Sequence, residues 1–584
     1  MFKSALFKAV ATYALLLVEV TAIPSDKVKY PVRLGSGSNL TVDLDYAIYQ
    51  GTKNEATGLN VWKGIRYAAP PIGDLRWKAP KTPQTSRNVT PAVDFGPNCP
   101  QAYPAVPNAP FIPGNEDCLF LNVYAPPNSG SVKLPVLVYI HGGGYGFGDG
   151  KQDISELINA NEKDFIAVSI QYRLGAFGFL SSSEIKANGV LNAGILDMAF
   201  ALDWVQKHIG KFGGDSKRVT ISGESAGGGA VMLLAIAKDG TLGTSLFSNG
   251  IAASPYLPAQ YDYNHAIPTR YYYELAAEVG CGASGAVLEC LRAKDSEILQ
   301  QANNNISIAG AYGTWSFLPV TDYTFITKLP SVALNDKKVN GESILVGNNA
   351  NEGALFVPPN ITTLVDLRSW LRVAFPTFSL DDIQNVITAY PSVDSAVNAS
   401  DAKFATNGYG QPTAVNVSQI ATGQQQRAYN IYAEATFVCP SYWLNNAYAP
   451  QHSFHYQYSV PFGSHADDVS AYFGPSALNQ SPSFSLAFRQ IWGNFVTTSN
   501  PSLASEAPTK KWPGWMPGVD SRMISLNQTG GIPYEVATQF GVNVTQFKDP
   551  GLRNLFKVVD AYEWEGARGE RCEFWKRIGG KLPI

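Results

Sequence analysis

The sequence predicts an α/β fold with a large, mainly parallel central sheet and helices on both faces. Three observations carry that expectation. Short β-rich runs alternate along the chain with stretches of helical apolar spacing, the pattern of strands joined by crossover helices. Hydrophobic residues make up 45% of the 584 and aromatics 12%, enough for a large buried core and incompatible with a disordered chain. No unit of about 20–50 residues repeats and no low-complexity tract appears, which excludes a solenoid.

The elements follow in chain order. LPVLVYI (134–140) is a run of β-formers ending in glycines, and FIAVSIQY (165–172) is a second. GILDMAFALDWVQKHI (194–209) spaces its apolar residues as a helix does. RVTISG (218–223) is a third strand, followed by small residues and the helix-like AVMLLAIA (230–237). SILVG (343–347) and SFHYQYSV (453–460) read as further strands, with Gly-, Pro-, Asn- and Ser-rich loops at 95–116 and 391–425. No linker divides the chain sharply, so residues 23–584 are expected to form one large domain with insertions.

Residues 1–22 read as a signal peptide: Lys3 and Lys8, an apolar run from Ala9 to Val18, then small residues at Val20 and Ala22. That run is too short to span a bilayer, and no later stretch of about 18 apolar residues predicts an integral membrane segment. Lys+Arg 44 against Asp+Glu 47 leaves −3, which offers no footprint for nucleic acid. The even set Cys99, Cys118, Cys281, Cys290, Cys439 and Cys572 suits an oxidising compartment. Spacing favours Cys99 with Cys118 and Cys281 with Cys290. That leaves Cys439 and Cys572 as a third pair or as free thiols. Glycosylation sequons stand at Asn39, Asn88, Asn305, Asn360, Asn398, Asn416, Asn527 and Asn543. Another, at Asn479, runs into Pro482 and is the poorest acceptor. The expected location is extracellular, with a glycosylated surface offsetting a charged fraction of only 16%.

The sharpest chemical signal is Gly223-Glu224-Ser225-Ala226-Gly227, between a strand and a helix. A serine on such a turn exposes its Oγ, and the helix N-terminus aims unpaired N–H groups at developing negative charge. His141-Gly142-Gly143-Gly144-Tyr145 follows strand 134–140 directly. With Ala226, the Gly143 and Gly144 N–H groups would make a three-donor oxyanion hole. Serine needs a base, and the chain has six histidines. His141 reads as loop-shaping, while His208 and His265 lie on or near helical and Tyr-rich stretches. His452 and His455 fall on different faces of a strand, so they do not make a metal pair. His465, in a late loop after strand 453–460, is the expected base. Glu352, in a loop between Ser225 and His465, is the expected acid, and Asp322 is the weaker candidate. No metal or organic cofactor is called for.

These motifs together resemble the type-B carboxylesterase/lipase family, which includes cholinesterases and secreted fungal lipases. The resemblance rests on GIRYAAPPIGDLRWKAP (64–80), EDCLFLNVY (116–124), YRLGAFGFL (172–180) and WVQKHIGKFGGDSKRVTISGESAGG (204–228). NEG (351–353) and GSHADDVSAYFG (463–474) extend it further, and the resemblance covers nearly the whole of the chain after residue 22. It implies an α/β-hydrolase fold, Ser225 as nucleophile, His465 as base and Glu352 as acid. It also implies an oxyanion hole of Gly143, Gly144 and Ala226, and supports the two local cysteine pairs. The loop from Cys99 to Cys118 is short and holds no Trp, unlike the flap of lid-bearing lipases or the choline-binding loop of cholinesterases. A secreted esterase acting on small to medium esters is therefore expected. A lipase or sterol esterase on long-chain esters is the alternative, and a non-catalytic adhesion relative is disfavoured by the intact Ser-His-Glu set.

Overall fold

The computed structural model describes residues 40–127, 132–391, 415, 418–504, 508–518, 520–538 and 540–584. The expected signal peptide and the sequons at Asn39, Asn398 and Asn416 lie outside the described residues. Strands β1 (Thr41–Asp43), β2 (Ile48–Gln50) and β5 (Val89–Pro91) form a small separate sheet. The main sheet runs through β3 (Thr52–Asn54), β4 (Leu59–Arg66), β6 (Phe120–Ala125), β7 (Leu134–Ile140) and β8 (Ile166–Ile170). It continues with β9 (Gly214–Glu224), β10 (Asn249–Ala253), β11 (Ser343–Asn349), β12 (Ser453–Tyr458), β13 (Arg522–Ala537) and β14 (Asn543–Asp560). Its spatial order is β14-β13-β12-β11-β10-β9-β7-β8-β6-β4-β3.

Every pairing from β8 across to β13 is parallel, and antiparallel strands finish both edges. Parallel strands need cover on both faces, which explains why β7, β8, β10 and β11 are buried almost without a break rather than at alternate residues. The expected helices form at Ala193–His208 and Ala226–Ile236. The second is buried on every side, as its uniformly apolar and small sequence requires. Its first turn lies directly on the sheet: a Cβ on Gly227 would come 2.1 Å from the Ile140 carbonyl oxygen. Loop 95–116 is largely irregular, as expected.

All six cysteines are joined, as Cys99–Cys118, Cys281–Cys290 and Cys439–Cys572. The last ties the helix Cys439–Ala447 to the C-terminal helix Trp564–Ile578 across 133 residues. A buried ion cluster reinforces that tie, because Glu434 accepts from both Nε and Nη2 of Arg571, each at 2.7 Å, and from Tyr390 Oη at 2.7 Å. Asn88, Asn305, Asn360 and Asn543 are exposed and Asn527 is partly so. Asn479 is buried, with its amide nitrogen donating to Pro461 O. Among the described residues, no helix is long and apolar enough to cross a membrane.

Candidate active site

Strands β7, β9, β10, β11 and β12 are consecutive parallel neighbours, so the loops after them open side by side at one edge of the sheet. This topology collects groups spread from His141 to His465. β7 delivers the glycine loop, β9 Ser225, β10 Ser254, β11 Glu352 and β12 His465.

Ser225 has φ 58° and ψ −123°, a backbone state costly for a residue with a Cβ. Its neighbours hold it there: its N–H donates to Ala253 O at 3.0 Å, and its carbonyl accepts from Gly229 N and Tyr256 N. The result presents Oγ to His465, whose Nε2 lies 2.9 Å away. On the other side of the ring, His465 Nδ1 is 2.5 Å from Glu352 Oε2. Glu352 Oε1 accepts from Ser254 Oγ at 2.7 Å and Asn349 N at 2.5 Å, so with His465 at Oε2 three donors fix both oxygens of this fully buried carboxylate. The acid and histidine loops are also laced together by Asn351 N to Gly463 O, 2.8 Å, and Asn351 Nδ2 to Phe462 O, 2.6 Å. Ser225 and His465 keep 7% and 8% exposure, which leaves the reacting edge open while the acid is sealed.

The glycine loop stands against the serine, since a Cβ on Gly142 would fall 3.1 Å from Ser225 Cβ. The N–H groups of Gly143, Gly144 and Ala226 find no acceptor among the described residues. Three unpaired donors near one hydroxyl form a cradle for an oxyanion. Aromatic rings wall the site. Phe437 and Phe356 lie 4.6 and 5.1 Å from the His465 ring, Tyr256 contacts both, and Trp315 and Phe147 continue outward. Phe356, Phe437 and Tyr256 carried no sequence signal.

Carboxylates crowd His465 more than chain order suggests. Glu224 Oε1 lies 3.3 Å from His465 Nε2, and burial raises the Glu224 carboxyl to about 8, against the opposing His465 charge. Burial also raises Asp467 and Asp468 to about 7. Burial pushes the His465 imidazole down, but Glu224 and Glu352 outweigh it and lift the ring to about 9. The other histidines are engaged elsewhere. His455 hydrogen-bonds Asn445 and Asn348 and is held neutral, pushed by burial to about 3. His452 meets Ser343 Oγ, His265 caps the helix Ala266–Glu278, and His208 packs against Tyr46 and Trp204. Asp322, the weaker candidate for the acid, is buried but turns one oxygen to three backbone N–H groups of its own turn and the other to Asn192 Nδ2, while Glu352 meets His465. Among the described residues no group of His, Cys, Asp and Glu suits a metal ion.

Residues 38–538 match the model of the carboxylesterase family. Lipase 4 of Diutina rugosa is 32% identical over 426 residues, covering 67% of this chain and 75% of that protein. Secreted lipase 4 of Gibberella zeae is 28% identical over 538 residues, 88% of this chain and 93% of that one. The crystal structure of Aspergillus niger EstA superposes with a TM-score of 0.74 at 25% identity, over 94% of this chain and 99% of its own.

Proposed function

The chain belongs to the carboxylesterase family, and from that premise we propose that it is a secreted serine hydrolase of carboxylic esters. Ser225 is the nucleophile, His465 the general base and acid, and Glu352 the orienting carboxylate. The observation that carries this reading is the relay Ser225 Oγ–His465 Nε2–His465 Nδ1–Glu352 Oε2, at 2.9 and 2.5 Å.

His465 takes the hydroxyl proton as Oγ attacks the ester carbonyl carbon. The carbonyl oxygen becomes an oxyanion, received by the N–H groups of Gly143, Gly144 and Ala226, which act on charge that the ground state lacks. Collapse expels the alcohol with a proton from His465. Water then attacks the acyl-enzyme by the same transfers in reverse. Glu352 keeps the proton on Nδ1, so that Nε2 is free to accept, and stabilises the imidazolium that follows.

Small to medium esters fit best, because the disulfide-closed Cys99–Cys118 loop is short and rings crowd close to His465. A lipase acting on long-chain esters is the second reading, favoured by the relatives named lipases. Residues 1–22 as a leader and 23–584 as one catalytic domain complete the proposal. Three disulfides and exposed sequons support an extracellular, glycosylated protein.

The test is hydrolysis of p-nitrophenyl esters of rising acyl length, below and above their solubility limit, with Ser225→Ala as control. A peak at short, dissolved esters is expected. A jump at the interface with long chains would establish the lipase reading instead, and turnover by Ser225→Ala would overturn both.

A further inference from the structure

We propose that His141 is a positioning residue for the oxyanion cradle: its imidazole anchors the Gly142–Gly143 peptide so that the Gly143 N–H faces the reacting oxygen. This rests on the reading of Gly143, Gly144 and Ala226 as donors and extends it to a side chain that touches neither nucleophile nor substrate.

His141 is buried, and its Nδ1 lies 2.8 Å from the carbonyl oxygen of Gly142. A carbonyl only accepts, so Nδ1 carries the proton. Burial pushes the imidazole below its ordinary value, which leaves a neutral ring with Nε2 unprotonated. Nε2 meets no partner among the described residues, so the Nδ1 bond is the one polar contact the ring makes. The ring stacks on Tyr172, centroids 4.4 Å apart, and the Tyr172 hydroxyl donates to His141 O at 2.8 Å. Two successive carbonyls are therefore held by one buried pair of side chains.

A trans peptide points its N–H away from its C=O. Anchoring Gly142 O thus turns the Gly143 N–H the opposite way. The next peptide is fixed by backbone alone: Gly143 O accepts from Gly146 N and Phe147 N, each at 3.0 Å, which turns out the Gly144 N–H. Glycines rotate freely, so without such anchors neither orientation is guaranteed. Gly148 completes the device. A Cβ there would come 2.4 Å from His141 Nδ1 and 2.7 Å from Gly142 O, so only glycine lets the contact close.

Three variants separate this role from packing. His141→Phe keeps a ring on Tyr172 without a donor. His141→Asn places an amide nitrogen where Nδ1 was, and His141→Gln places one where Nε2 was. We expect Phe and Gln to lose about 100-fold in kcat with KM within about threefold, and Asn to retain most of the rate. Crystal structures should show the Gly142–Gly143 peptide rotated in Phe and Gln and unrotated in Asn. Wild-type kcat in His141→Phe, or an unmoved peptide there, overturns the proposal. If the Phe variant fails to fold, the Asn and Gln pair decides, and equal rates overturn it. A wild-type protein that hydrolyses no ester would refute the proposed function, and the peptide orientation alone would then decide for His141.

Discussion

Exchanging Glu352 for Gln keeps the side chain's volume and changes one atom, and the surroundings dictate where that atom goes. Oε1 accepts from Ser254 Oγ and from the backbone N–H of Asn349, while Oε2 faces His465 Nδ1 at 2.5 Å. The Ser254 hydroxyl can reverse its role, but the Asn349 N–H can only donate. It holds the amide oxygen at the Oε1 position, and the NH2 group falls opposite Nδ1. His465 must then accept at Nδ1 and carry its proton on Nε2, where it can no longer take one from Ser225. Loss of a triad carboxylate through the wrong tautomer costs about 10⁴ in kcat, roughly 5 kcal/mol of barrier. Initial rates on a soluble short-chain p-nitrophenyl ester, per mole of folded protein, give the comparison, with melting curves recorded alongside. A kcat within tenfold of wild type in a folded Glu352→Gln would refute the reasoning.

As the proposed general base His465 must be neutral, and Glu224 and Glu352 outweigh burial to hold it at about 9, so kcat/KM should fall as pH drops through that region. Glu224→Gln removes one raising carboxylate and should move the acid limb down by about one unit; a limb that stays or rises contradicts the assignment. Arg571→Met strips Glu434 of two of its three 2.7 Å bonds and leaves a buried carboxylate with the Tyr390 hydroxyl at 2.7 Å and Arg568 as its remaining cation, at 3.4 Å. We expect a loss of about 3–5 kcal/mol, seen as a melting midpoint lowered by roughly 3–4 °C in a chain of this size, and an unchanged midpoint would show the cluster to be dispensable. Replacing Cys439 and Cys572 by Ser together releases a constraint across 133 residues worth at most about 5 kcal/mol, so the midpoint should fall while kcat per folded protein holds. An unaltered midpoint would contradict that.

Much of the candidate site is legible in the chain because its residues are tied to local grammar. Strands 134–140 and 218–223 are short apolar runs stopped by glycine, and each delivers its loop of the candidate site within a few residues of its end. Glu352 and His465 follow the same rule after β11 and β12. What escaped depends on strand order or on distance in sequence. Glu224 reads as a spacer in its pentapeptide, and only the approach of the β12 loop puts it 3.3 Å from His465 Nε2. Phe356 and Phe437 look like any core aromatics until both are found against the His465 ring. Strand β10, NGIAA, is too poor in β-formers to announce itself, yet parallel neighbours on both sides make it a strand and place Ser254. The long β13–β14 pair carries glycines and prolines that read as loop, and its hydrogen bonds are made with the partner strand across the turn.

The most direct test of the central claim is covalent capture of the nucleophile. The protein is incubated with a fluorophosphonate, digested, and the adduct located by mass spectrometry while ester turnover is followed. One adduct on Ser225, with activity lost in step and no labelling in Ser225→Ala, is the predicted result. An inactivating adduct on another residue, or full labelling of Ser225 with hydrolysis undiminished, would contradict the account.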